Sequence, residues 1–215
     1  MSDVSNSIII SSNYNKLISL KATHGHFATS SSHINYFIDM THLKCKRLEA
    51  KAVAEYISQA YKTSTLIDTI VCMDGTEIIG AYLADELCSP GMQSVNSRNF
   101  IFIITPEQTT AGQLFFRENF LHTIKDKKVL LLLATATTGK TLGTALSCIE
   151  YYGGSIAGIA SLFSATREIN GISINTVFTT DDIPGYASHS AVNCPQCQAK
   201  QPLTGMVNSH GFSKL

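Results

Sequence analysis

The segment VLLLLATATTGKTLGTALSCIEYYGG, residues 129–154, restricts the fold more than any other part of the chain. Val129 to Ala134 is a continuous apolar run too short to span a bilayer, the signature of a strand buried on both faces. Small and hydroxylated residues follow to Gly139-Lys140-Thr141, and a helix is expected over 141–152. Gly153-Gly154 closes it as a C-terminal glycine should. A doubly buried strand feeding a helix implies an α/β architecture with a mainly parallel sheet, whose ligands bind beyond the carboxyl ends of the strands.

The start of that helix carries unsatisfied N–H groups and the positive end of the dipole. A loop of small residues lets a phosphate reach those groups, with hydroxyls from Thr135, Thr137, Thr138 and Thr141 and a charge from Lys140 beside them. Ala134-x-x-x-x-Gly139-Lys140-Thr141 also fits a relaxed nucleotide-binding P-loop. The bland alternative is a capped helix whose threonines satisfy their own backbone. Against the ATPase reading, the loop holds one glycine, and the acidic strand end downstream, Asp181-Asp182, follows a poorly apolar strand.

The remaining pattern supports the same class. Leu48, Ala52, Tyr56, Ile57 and Ala60 mark a helical face between 44 and 60. Strands are expected at 68–73, 99–105, 155–164 and 173–180, a helix at 78–87, and a polar, flexible loop at 106–113. The loops at 73–77, 105–113 and 134–141 all follow strands and should gather at one edge. Residues 1–43 read as an irregular, strand-containing cap, 44–190 as the α/β core and 191–215 as a tail.

Sixteen basic residues balance sixteen acidic ones, which removes the electrostatic footprint of a duplex-binding protein. No membrane partner is expected. The first residues, MSDVSNSIIISS, lack a basic region and do not read as a signal peptide. Four of the six cysteines are scattered singly through apolar segments, which suits reduced thiols in the cytoplasm.

KKVLLLLATATTGKTLGTALSCIEYYGGSIAGIASLFS (127–164) resembles the 5-phosphoribosyl-1-diphosphate (PRPP) motif of type I phosphoribosyltransferases. The likeness extends over roughly residues 20–203 and is nearest to the orotate enzymes. It implies a type I phosphoribosyltransferase fold, a central parallel sheet flanked by helices, with an N-terminal hood at 26–39 in which Tyr36 and Phe37 would stack on a base. Thr137 to Thr141 would hold a ribose 5-phosphate. Asp74, Gly75, Thr76 and Glu77 would form the pyrophosphate loop. A homodimer and, in an active enzyme, Mg²⁺ are implied as well.

Chemically, the departures from that motif all point one way. Leu133 and Ala134 stand where the family has two acids that bind the ribose hydroxyls. The family's mobile, cation-rich loop here offers only Arg117, with Glu107 and Glu118 beside it. Ser30 stands in place of a hood lysine. Asp74 and Glu77 add carboxylates to the pyrophosphate loop, and two like charges 4 Å apart cost about 4 kcal/mol at an effective dielectric of about 20. Either those two carboxylates hold magnesium in a rebuilt transferase, or they are a turn residue and a helix-N-terminal acid in a protein that binds nucleotide without turnover.

Cys194-Pro-Gln-Cys197 has zinc-knuckle spacing without a second cysteine pair, and His189 and His210 stand at no regular distance from it. The expectation is a reduced dithiol in a loose tail and no bound metal. His24-Gly25-His26 reads as a polar turn.

Overall fold

The computed structural model describes residues 7–89, 94–137, 139–208 and 211–215. An antiparallel hood opens the chain: β1 (Ser7–Ser11), β2 (Ser19–Ala28) and β3 (His33–Asp39). Two helices, α1 (Thr41–Cys45) and α2 (Arg47–Ser58), lead to β4 (Thr69–Cys72), α3 (Glu77–Cys88) and β5 (Phe102–Ile104). A small hairpin, β6 (Glu107–Gln108) and β7 (Leu114–Phe115), precedes β8 (Lys128–Ala136) and α4 (Lys140–Tyr151). Then come β9 (Ser155–Ser164), β10 (Glu168–Ile169), β11 (Ile172–Thr179) and β12 (Ser188–His189). The chain ends with the single turn α5 (Pro195–Gln198), β13 (Gly205–Asn208) and β14 (Gly211–Lys214).

The central sheet runs β10-β11-β9-β8-β4-β5, and every neighbour pair from β11 to β5 is parallel. Period two along β8 explains its position. Leu130, Leu132 and Ala134 face a core shared with Val53 and Ile57 of α2 and Leu83 and Leu87 of α3. Val129, Leu131 and Leu133 face the other way, onto Leu142, Ala145, Leu146 and Ile149 of α4. The hood covers the first of these cores with Ile18, Leu20 and Ala22.

Three local expectations change. The helix expected from 44 to 60 is two helices, broken where Lys46 turns extended. The second therefore buries Ala50, Val53, Ala54 and Ile57, while Leu48 and Ala60 are exposed. The polar loop at 106–113 is largely taken up by the β6–β7 hairpin, with Thr109 Oγ1 accepting from the Gln113 N–H. The segment after 191 is not loose. β13 pairs with β2 in parallel and β12 pairs with β3, so both chain ends build one sheet in the order β12-β3-β2-β13-β14.

Candidate active site

Because β4, β5, β8, β9 and β11 are parallel, the loops that follow them leave from a common edge. Beyond β8, Thr137 and Gly139 form the turn into α4, and Gly139 has φ +72°. An L side chain rarely adopts that conformation, so the backbone favours glycine, and a Cβ there would lie 3.5 Å from Ile169. Lys140 and Thr141 open the helix and are exposed. Thr135 is the penultimate residue of β8, half-buried rather than part of the loop. Thr138 lies outside the described residues.

A cavity of about 520 Å³ adjoins this turn. It is lined by Ser31 and Ser32 of the hood tip, Thr137, Thr180, Tyr186 and Ser188, together with Ala165, His189 and Ser190. Its polar lining is hydroxyls and one imidazole. Burial pushes the Tyr186 phenol up to about 12, and its buried hydroxyl has no hydrogen-bond partner among the described residues.

The loop after β4 is held by contacts of its own. Asp74 and Gly75 both have positive φ, 60° and 78°, and Lys44 Nζ donates to the Asp74 carbonyl at 2.8 Å. Thr76 is fully buried and its hydroxyl reaches the Met73 and Leu132 carbonyls, so that side chain fastens the turn to β8. Glu77 is the first residue of α3, and its carboxylate accepts from Thr105 Oγ1 at 3.0 Å. An acid is favoured there by the helix dipole.

Charge is scarce where the resemblance calls for it. Leu133 and Ala134 are buried, one on each face of β8, with no side-chain group to accept a hydrogen bond. Arg117 forms a two-pronged pair with Glu107, at 2.6 and 2.7 Å, and lies 5.5 Å from the centre of the Phe115 ring. The Arg117 hydrogen bonds hold the Glu107 carboxyl below its ordinary range. Asp182 accepts from the Thr179 N–H at 2.7 Å and Asp181 pairs with Arg167 at 3.2 Å, a cap and a surface pair rather than a nucleotide-metal site. Magnesium takes oxygen ligands. Among the described residues the single cluster of three or more metal-ligating side chains is a histidine–cysteine group, not Asp74 and Glu77.

Tyr36 and Phe37 do not line the cavity. Tyr36 packs edge-on to His24 with ring centres 5.1 Å apart, and Phe37 lies against Phe27 and Phe212. The cavity residues that sequence reasoning missed, Ser31, Ser32, Thr180, Tyr186 and Ser188 to Ser190, carry no motif. Only the strand ends and the hood hairpin bring them together.

Searches against family models and curated proteins give no match for this chain. Solved structures do match. Orotate phosphoribosyltransferase from Mycobacterium tuberculosis H37Rv, solved with inorganic phosphate, superposes with TM-score 0.52 at 16% identity, covering 75% of this chain and 89% of that one. This chain has the type I phosphoribosyltransferase fold. UMP synthase from Leishmania donovani matches with TM-score 0.55 at 16% identity over 76% of this chain, which spans about a third (34%) of that protein. Adenine phosphoribosyltransferase from Thermoanaerobacter pseudethanolicus matches with TM-score 0.51 at 16% identity, covering 67% and 88%. Within the phosphoribosyltransferase fold the β8–α4 turn occupies a carboxyl-edge position, the usual place for a ligand in an open α/β sheet.

Proposed function

We propose that this chain binds a phosphorylated ribose, as ribose 5-phosphate or within a nucleotide. The phosphate would sit on the turn from Thr137 to Thr141 and the remainder in the hydroxyl-lined cavity. One observation carries the reading: the left-handed Gly139 turn opens α4 at the carboxyl edge, and Thr137 belongs to both turn and cavity. Helix-start N–H groups and threonine hydroxyls favour a phosphate dianion without any dedicated cation. The likeness to an orotate enzyme solved with inorganic phosphate supports the same choice.

Transfer of that ribose from PRPP to a base such as orotate would require stabilising the charge that develops on pyrophosphate. The buried Leu133 and Ala134, the Arg117–Glu107 pair and the carboxylates of Asp74 and Glu77 all oppose it. They favour a second reading, a nucleotide-sensing protein with little or no turnover. The same proposal sets the chain in a reducing cytoplasm, in keeping with six unbridged cysteines, and as a homodimer, which light scattering would test.

The experiment pairs binding with turnover. Ribose 5-phosphate or UMP should raise the melting temperature, and Gly139→Val should abolish the shift. With PRPP, Mg²⁺ and orotate, pyrophosphate release should stay near the uncatalysed rate. Steady release lost in Thr137→Val would establish an active transferase instead, and no shift with either phosphate compound would refute the seat.

A further inference from the structure

We propose that His26, His33, Cys194 and Cys197 form a tetrahedral zinc site that staples the C-terminal segment to the hood. The proposal is independent of any ligand at the phosphate turn. One ligating atom from each residue lies within 4.8 Å of the others. His26 Nε2 is 3.1 Å from His33 Nδ1, 3.5 Å from Cys194 Sγ and 3.6 Å from Cys197 Sγ, and His33 Nδ1 is 3.2 Å from Cys197 Sγ. Zinc bonds of about 2.3 Å to sulfur and about 2.0–2.1 Å to nitrogen give tetrahedral edges of about 3.3 Å for N···N and about 3.6 Å for N···S. The observed separations are close to those edges.

A simple hydrogen-bond network explains the cluster less well. His26 Nδ1 lies 3.0 Å from the Gln201 carbonyl, which can only accept, so Nδ1 carries the proton. In the neutral ring Nε2 then has one lone pair. Three groups nevertheless converge on it, and they approach one another as well. Ligands around a shared centre have that arrangement. Fixing one imidazole nitrogen on a carbonyl is also how metal-binding histidines hold their tautomer.

Charge and backbone agree with this reading. Two thiolates neutralise a divalent ion, which suits a site where His26 is 3% and Cys194 2% exposed. Soft sulfur with imidazole in a closed four-coordinate set selects zinc over the hard cations. The approach of His26 depends on a β-bulge, where Gly25 and His26 oppose the single residue Asn35 between the pairs His24–Tyr36 and Phe27–Ile34. A Cβ on Gly25 would come within 2.9 Å of both the Phe27 ring and Thr204 Oγ1. His24-Gly25-His26 is thus a bulged strand and not a polar turn. His189 pairs with His33 across β12 and β3 but is outside the cluster, and His210 lies outside the described residues.

The site also bears on the cavity. His33 directly follows the cavity residues Ser31 and Ser32, and its strand partner His189 lines the same wall. An ion here would fix the hood tip to a segment 164 residues away in sequence.

Untagged protein, purified reduced from zinc-supplemented culture, should hold about one zinc per chain by elemental mass spectrometry. Cobalt substitution should give the absorption of four-coordinate Co(II) with thiolate ligands. Cys197→Ser and His33→Gln, at the two less buried positions, should lose at least tenfold in zinc affinity while circular dichroism reports a folded chain. Cys45→Ser, at an exposed cysteine elsewhere, should keep full zinc content. Folded wild-type protein that takes up no zinc, an internal Cys194–Cys197 disulfide in freshly isolated protein, or unchanged zinc affinity in both variants would overturn the proposal.

Discussion

The carboxyl edge of the parallel sheet and the hood–tail sheet differ in what positions their chemistry. At the sheet edge the backbone carries the geometry. A left-handed glycine and a helix start survive although the acids of the resembling motif are replaced by Leu133 and Ala134. In the hood–tail sheet side chains from both ends of the chain meet, and the polypeptide serves to bring His26 within 3.5 Å of a cysteine 168 residues later. Backbone sites tolerate sequence change that side-chain sites do not. On the two proposals above, a phosphoribosyltransferase fold would keep a phosphate seat without catalysis and would gain a metal site of which the local CPQC motif announces only two ligands.

The largest expected effect breaks this comparison at the sheet edge. Leu133→Asp restores an acid of the motif but places a carboxylate in the apolar layer between β8 and α4. It should lower unfolding free energy by at least about 3 kcal/mol in urea titrations, from lost packing plus an unpaired buried charge. A stable Leu133→Asp protein that acquired PRPP turnover would mean that this position is open to ligand.

Next comes metal at the hood–tail sheet. Zinc at 100 times its dissociation constant should add about 2.7 kcal/mol to the wild type, read from chemical unfolding, and at most about 1.4 kcal/mol to Cys197→Ser at the same concentration. Ribose 5-phosphate should act comparably at the other region, through Gly139 and not through Cys197. Crossed effects, with Cys197→Ser abolishing phosphate binding, would show that the two regions are one cooperative site.

A smaller effect is expected at Tyr186. Removing its unpartnered hydroxyl in Tyr186→Phe should leave stability within about 1 kcal/mol of wild type, with any change towards greater stability. The smallest concerns Arg117→Ala. It breaks an exposed pair and should leave both the unfolding midpoint and the rate of pyrophosphate release unchanged.

The strand–loop–helix unit was legible because its determinants are local. An apolar run, small residues and a closing glycine pair give β8 and α4 to within a few residues, and Gly153 takes the positive φ that its C-terminal place demands. The exposed Leu48 was not, since a single extended residue at Lys46 rotates the helical stripe. The cavity and the histidine–cysteine group were hidden for a different reason. CPQC announced two ligands, but the others sit on a bulged strand and its partner, which only tertiary pairing brings into reach.

The most direct measurement of the central claim is calorimetric titration of ribose 5-phosphate into the wild-type chain and into Gly139→Val. Saturable binding at one site per chain in the wild type, absent from a folded variant, is the predicted result. Equal binding by both proteins, or none by the wild type, would contradict it.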